Sequence, residues 1–302
     1  MRAVLVKNGA CGIDSLYIGE TEKPQPRAGK VLVKVKAFGV NRMDISQREG
    51  KYPPPAGSSS IIGVEFSGTI AEVGEGVQDW KEGAEVLGLV GGGAYAEYVA
   101  ALATHFWTFQ ALTIAEFKSG EAALIHTGAS GVGIAANQLA PSTSDKLDWL
   151  IGLPNGPTHT VNYKTQDFAG EVKRITEGKG VSVIVDFPGQ SHFAKNLDSL
   201  AVDGRMVMLA LLSGSVVQNL DLSNILRKRL RIEGSTLRSR TSQYQAELIG
   251  RFKKEVAEKL TGEHGNGPFR TYLHAVYPLE RIQDAHRDME SNTTTGKLVV
   301  TI

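Results

Sequence analysis

Cysteine is almost missing from this chain of 302 residues, where Cys11 stands alone. A single thiol excludes an internal disulfide framework and any zinc lobe built from several cysteines. An excess of one charge is missing too, because 33 Lys and Arg balance 32 Asp and Glu to a net charge of +1. That balance gives no whole-chain field to steer nucleic acid or an anionic membrane. No N-terminal apolar stretch has the build of a signal peptide, and no hydrophobic run approaches the roughly 20 residues of a membrane span. A soluble, reducing compartment, the cytoplasm, is the expected home. The seven histidines show no metal-ligand spacing. What is present is globular: 41% hydrophobic and 22% charged residues argue against disorder, and the length of 302 residues predicts two domains.

The first hundred residues read as β. Segments 2–7, 30–37, 69–73 and 85–90 carry β-branched residues in alternation, which predicts strands. In 30–37, Val31, Val33 and Val35 share one face while Lys34 and Lys36 share the other, the pattern of a half-solvated antiparallel strand. Pro53-Pro54-Pro55 and the Gly-Ser residues after it mark an irregular loop. From about Glu121 the rhythm becomes strand, helix, strand. A short buried strand over 122–126 precedes a helix over 132–140 that Pro141 should end. Asp167 can cap a helix running to Thr176, which Gly178 closes. Strand signals return at 181–187, 205–211 and 231–235, so a doubly wound parallel sheet is predicted. An amphipathic helix over 244–260, a helix over 279–289 and a last strand over 297–302 complete the chain. The expected domains are 1–110, mostly antiparallel β, 111–255, doubly wound, and 256–302, returning to the first.

His126-Thr127-Gly128-Ala129-Ser130-Gly131-Val132-Gly133 stands where the first of these parallel strands should turn into its helix. Glycines at 128, 131 and 133 permit a tight reversal and close backbone approach. The helix that follows offers unpaired N–H groups and a positive dipole end to a diphosphate. The competing reading is a plain β-turn-α connection. Strand before and helix after favour the nucleotide.

A second string, Gly63-Val64-Glu65-Phe66-Ser67-Gly68-Thr69-Ile70-Ala71-Glu72-Val73-Gly74, resembles the G-H-E-x-x-G-x-V-x-x-x-G signature of medium-chain dehydrogenases and reductases. Val64 stands where zinc-dependent members carry a ligand histidine, and valine offers zinc no donor atom. Further strings match at 41–44, 47–55, 91–99, 162–164, 237–240 and 277–286. On these the chain resembles the zinc-independent quinone oxidoreductases over most of both domains. The resemblance implies an α/β fold: a GroES-like catalytic domain, a Rossmann domain and NADPH in the cleft between them, with no metal. It implies that Asn41 lies near the nicotinamide, with Thr108 beside it, and that Tyr52 lines the quinone pocket. Gly128, Ala129, Ser130, Gly131, Val132 and Gly133 would hold the diphosphate. Ser144, Lys146 and Tyr163 match the 2′-phosphate contacts, and Leu237 and Arg238 match residues facing the cofactor. A small quinone substrate and a homodimer follow from the same likeness. Each residue has a plainer reading as well: Asn41 as a helix cap, Tyr52 as loop packing, Ser144 as an N-cap and Lys146 as a solvated lysine.

The implied chemistry asks little of the side chains. Hydride passes from nicotinamide C4 to an already electrophilic quinone, so positioning and exclusion of water dominate. Tyr52 is a candidate source of the proton that the reduced quinone takes up. Two alternatives stand beside this reading: an enoyl or enone reductase of the same superfamily, and a fold that binds without turnover. The chain departs from the family in two places. The crossover over 100–120 is short, and no β-branched run follows Pro141 where the family has its second parallel strand. Unpaired backbone groups left by a lost central strand cost about 1–3 kcal/mol each when buried. Either 158–162 moves in to pair with 122–126, or the domain is impaired. The basic cluster Arg227, Lys228, Arg229, Arg231, Arg238 and Arg240 lacks interleaved aromatics and reads as solvated surface rather than an RNA site. His126 reads as a hydrogen-bonded core residue, and Asp186 as a residue of the ligand-facing sheet edge or a turn former.

Overall fold

The computed structural model describes residues 1–7, 12–78, 80–101, 107–118, 120–130, 133–136, 156–237, 240–257 and 269–302. β1 (Arg2–Val6) and β2 (Leu16–Glu20) pair antiparallel, Arg2 opposite Glu20. β3 (Val31–Val40) organises the first sheet: β4 (Glu65–Val73) pairs with it antiparallel, β5 (Glu85–Leu89) pairs with β4, and β6 (Tyr98–Ala101) pairs with the first half of β3. The predicted alternation is there, with Val31, Val33 and Val35 buried and Lys34 and Lys36 exposed. The strand runs past 37, where an irregularity between Val35 and Ala37 changes the parity and lets Phe38 and Val40 continue the buried row. Two signature glycines have steric causes. A Cβ on Gly68 would come 2.1 Å from the Lys34 carbonyl oxygen, so glycine lets β3 and β4 close up. Gly63 adopts φ +96°, and a Cβ there would meet the Tyr95 ring at 2.1 Å. Immediately after β3 comes α1 (Arg42–Arg48).

The second sheet is parallel. After α2 (Trp107–Ile114) come β7 (Ala123–Ile125), α3 (Phe168–Ile175), β8 (Val181–Asp186), α4 (Phe193–Ser199), β9 (Leu200–Met208), α5 (Ser223–Arg227) and β10 (Arg231–Gly234). The strand order is β10-β9-β8-β7. Successive residues bury on opposite faces: Ala123, Ile125, Val183 and Val185 join one apolar cluster, while Leu124 and Ile184 join another with Phe168 and Leu197. Burial on both faces is what a helix-covered parallel sheet requires, so the doubly wound expectation holds. Asp167 caps α3 by accepting the Gly170 N–H at 3.2 Å, and Gly178 follows its last turn at φ +81°, as predicted.

Some boundaries differ from expectation. β9 begins at Leu200 and ends at Met208, so the apolar 209–211 is not strand; Leu211 and Leu212 are exposed. The helix expected over 244–260 is α6 (Ser242–Phe252), followed by a π-helical turn over Lys253–Ala257. Residues 158–162 form no strand, although Val161 packs in the same apolar cluster as Leu124. The place of the missing family strand, after Pro141, lies outside the described residues, and so do 137–140 of the predicted helix.

The last strands lie in the sheet that β3 organises. β11 (Leu273–Pro278) leads through a 3-10 turn (Leu279–Arg281) and α7 (Ile282–Ser291) to β12 (Lys297–Thr301). β12 lies parallel to β11 and antiparallel to β3, with Leu298 opposite Val40. The chain divides into two compact units: Met1–His105 with Thr241–Ala246 and Tyr272–Ile302, and Phe106–Arg240 with Glu247–Thr271.

Candidate active site

Asn41 stands where β3 ends and α1 begins. Its Oδ1 accepts from Lys297 Nζ at 2.7 Å, and its Nδ2 donates to Glu65 Oε2 at 3.2 Å and to the Gly39 carbonyl at 3.4 Å. Lys297 Nζ also pairs with Glu65 Oε1 at 2.8 Å. Lysine only donates and a carboxylate only accepts, so the two partners fix which way the carboxamide faces. Gly39 makes room for them: a Cβ there would lie 1.8 Å from Glu65 Oε1 and 2.6 Å from Lys297 Cε. Val64, next to Glu65 in sequence, is buried in the core.

Beneath Asn41 runs a chain of buried polar groups. Asp44 Oδ2 accepts the Asn41 backbone N–H at 2.8 Å, closing the first turn of α1, and the Tyr95 hydroxyl at 3.2 Å. Tyr95 Oη meets His286 Nε2 at 3.1 Å, and Arg48 reaches His286 Nδ1 at 3.2 Å. Arginine has no acceptor, so Nδ1 accepts and Nε2 carries the proton toward Tyr95, whose own proton is directed at Asp44. Arg48 then pairs with Glu290 at 2.7 Å. Asp44, Tyr95 and His286 have no exposed surface. Burial raises the Asp44 carboxyl to about 7 against the pull of the Asn41 N–H, and Asp44 Oδ1 has no partner. Burial, then the neighbouring Asp44, pushes Tyr95 well above the ordinary phenol value. Burial, then Arg48, lowers His286 to about 3, which keeps it neutral.

In the second unit the turn after β7 is drawn tight. Thr127 sits at φ +55°, Ser130 N–H donates to the Thr127 carbonyl at 2.9 Å, and Ser130 Oγ accepts the Gly133 N–H at 3.0 Å. A Cβ on Gly133 would lie 2.3 Å from the Thr127 oxygen and 2.8 Å from the Gly128 carbonyl carbon. That closeness packs the helical residues 133–136 onto the turn. His126 is buried with Nε2 2.7 Å from Asn196 Oδ1; Asn196 Nδ2 donates to Asp186 Oδ1 at 2.9 Å, and the Gly189 N–H donates to Asp186 Oδ2 at 3.0 Å. Asp186 therefore sets the Asn196 amide, and the amide sets His126 as the Nε2–H tautomer. Burial lowers His126 to about 4 and raises Asp186 to about 6. His126 is thus a hydrogen-bonded core residue, as the sequence suggested.

Models of two families match this chain: the alcohol dehydrogenase GroES-like domain over residues 27–111 and the zinc-binding dehydrogenase over 155–300. Quinone oxidoreductase 1 of Escherichia coli is 30% identical, the alignment covering 94% of this chain and 95% of that one. The chain belongs to the quinone oxidoreductases of the medium-chain dehydrogenase/reductase superfamily. A rat protein described as synaptic vesicle membrane protein VAT-1 homolog is 27% identical over 98% of this chain and 83% of its own length. The crystal structure of Escherichia coli quinone oxidoreductase complexed with NADPH superposes with a TM-score of 0.82 at 25% identity, covering 100% of both chains. Although one matching family is described as zinc-binding, the described residues hold no group of three or more His, Cys, Asp or Glu able to take a metal.

Against this oxidoreductase frame the residues foreseen from sequence separate clearly. Asn41 caps α1, the plainer of its two readings, and also carries the side-chain bonds above. Tyr52 is half-buried, its N–H bonded to the Ser46 carbonyl after α1. Gly128, Ala129, Ser130 and Gly133 lie together in the turn, and Leu237 is buried. Tyr163 is 55% exposed, with its ring centroid 5.5 Å from that of His192 in an edge-on contact. Thr108 falls on α2. Gly131, Val132, Ser144, Lys146 and Arg238 lie outside the described residues. Sequence reasoning gave no role to Glu65, Asp44, Tyr95 or His286, although each sat in a matched string, and it saw Lys297 only as a strand residue. Their meeting depends on pairings across the whole chain, which no local pattern encodes.

Proposed function

We propose that this protein is an NADPH-dependent quinone reductase that transfers hydride without metal. The observation that carries the reading is the Asn41–Glu65–Lys297 cluster, where a lysine ammonium answers the carboxylate of the signature string and Val64 is turned into the core. Of these three groups only the Glu65 carboxylate is of a kind that zinc takes, and it is already paired with Lys297 and Asn41. Here their hydrogen bonds are mutually closed.

The fit to a dinucleotide rests on the turn. Only glycine at 133 allows the helical residues to approach the Thr127–Gly128 backbone, the shape a diphosphate needs. When bound, the nicotinamide supplies the hydride. The chain's own residues orient and exclude: the 128–133 turn holds the diphosphate, Tyr163 with Ser144 and Lys146 takes the 2′-phosphate, and Leu237 and Arg238 flank the cofactor. Asn41 and Thr108 position the ring, and Tyr52 lines the quinone pocket. One proton must join the hydride to give the hydroquinone, and the Tyr52 hydroxyl or solvent delivers it. A homodimer in the cytoplasm completes the reading. Among the described residues no helix is long and apolar enough to cross a membrane.

Fluorescence titration with NADPH and NADH, followed by turnover of naphthoquinones in the presence of a chelator, tests this. Saturable binding that is tighter for NADPH, with chelator-resistant quinone reduction, is expected. Turnover of crotonyl thioesters but not quinones would move the protein to the enoyl reductases. Absence of saturable binding to either nucleotide would remove the redox role.

A further inference from the structure

Three segments far apart in sequence bring one polar group each to a single point: Asn41 from the end of β3, Glu65 from the start of β4 and Lys297 from the start of β12. We propose that Lys297 is a positioning residue of the active site, the group that sets the Asn41 carboxamide and holds Glu65 beside it. This rests on the reading of Asn41 as a site residue.

The backbone of Asn41 is already held, because its N–H is bonded to Asp44 Oδ2 at 2.8 Å. The side chain takes part in the α1 capping box, and its amide orientation is set by Lys297 on the oxygen and Glu65 on the nitrogen. With Nζ at 2.7 Å from Oδ1, the amide oxygen faces the ammonium and the NH2 faces Glu65 and Gly39. Remove Nζ and the oxygen loses its one charged donor, while Glu65 loses the cation 2.8 Å from Oε1. An amide free to rotate presents an acceptor or a donor to its ligand without preference. Gly39 supports the same conclusion independently. A Cβ at this penultimate position of β3 would overlap both the Glu65 carboxylate and the Lys297 stem, so the backbone is shaped to admit the pair. Lys297 keeps 25% and Glu65 30% of its side-chain surface exposed, so the cluster is open on one side. A small ligand can reach it from there.

That opening also defines the test. In the full-length chain, Lys297→Ala should lower kcat roughly 10- to 100-fold with NADPH and a naphthoquinone, while the NADPH Kd stays within about threefold, the pattern of a misplaced rather than a lost contact. Methylammonium or ethylammonium should restore turnover along a saturating curve, which a purely structural role would not produce. Lys297→Arg, which keeps the charge on a wider head group, should fall between. If Lys297→Ala does not fold, the double variant Lys297→Ala/Glu65→Gln removes both charges together and takes its place. Turnover within about twofold of wild type, or a loss that no amine recovers, overturns the proposal. Should wild type reduce no quinone, the functional reading fails, and the Asn41 side-chain NH2 resonances in a 15N-asparagine spectrum decide the matter alone. Two dispersed signals that collapse toward free amide in Lys297→Ala, and return with added amine, support the positioning role. Signals unmoved by the substitution overturn it.

Discussion

Asp44 is a carboxyl placed where water does not reach, and its ionisation links the start of α1 to Tyr95 and the C-terminal helix. Burial raises its pKa to about 7 from the ordinary 3.8, so the folded state holds this proton more firmly than the unfolded chain. The stabilisation is therefore complete below pH 4 and is lost as the pH rises through 7. The whole effect is on the order of 4 kcal/mol, of which about 1.4 kcal/mol falls between pH 6 and pH 8. Asp44→Asn keeps an acceptor for the Asn41 N–H and cannot titrate. Urea unfolding at pH 6 and pH 8 should show wild type losing about 1.4 kcal/mol more than the variant over that interval. Equal losses would mean that Asp44 does not titrate there. Little of this was legible in the sequence. Asp44, Tyr95 and His286 each lay in a matched string, but hydrogen-bond partnership across such separations depends on the folded strands. Asn41 was legible as a candidate because one local pattern, a polar residue before a helix, pointed to it.

Elements were far easier to read than contacts. The alternating valines of β3, the Asp167 cap and the Gly178 stop each act within a few residues, and each appears where expected. The misplacements came where burial overrides local pattern. The 205–211 run was apolar to its end, yet Leu211 and Leu212 lie in an exposed loop beyond β9. In the turn at 126–133 the glycine at 133 was legible because it has a steric cause at the element scale. At Gly133 the nearest atoms to an added methyl are the Thr127 oxygen and the Gly128 carbonyl carbon, both backbone, which cannot swing aside as a side chain would. Gly133→Ala should thus push the helix start away from the turn and raise the NADPH Kd about tenfold or more, equivalent to about 1.4 kcal/mol. Fluorescence titration measures it. An unchanged Kd would separate the turn from the diphosphate.

For the molecule as a whole, the order of the chain and the order of the sheets do not coincide. β12 comes last in sequence but lies between β3 and β11, with Leu298 and Val300 fully buried. Removing residues 297–302 would expose those two side chains, worth about 1.5–3 kcal/mol each, and strip both neighbours of their ladder. Set against a net stability of roughly 5–15 kcal/mol, that loss should leave the first unit unfolded, seen as early proteolysis of its strands while 168–208 resists. The second sheet poses the opposite question. Among the described residues only β8 pairs with β7, and 158–162 does not supply the strand that would cover its other edge. Ala123, Leu124 and Ile125 are all buried, so backbone groups on that edge are shielded from water without a strand partner among the described residues. A version of the chain carrying a five- or six-residue β-branched strand inserted after Ala140, about the length usual in such sheets, should therefore unfold at higher urea and slow hydrogen exchange at Leu124. The same insertion should favour NADPH over NADH, because a strand ending at the adenine ribose would anchor Ser144 and Lys146 against the 2′-phosphate. Equal midpoints and an unchanged nucleotide preference would show that the edge of β7 is already satisfied and that the 2′-phosphate is read elsewhere.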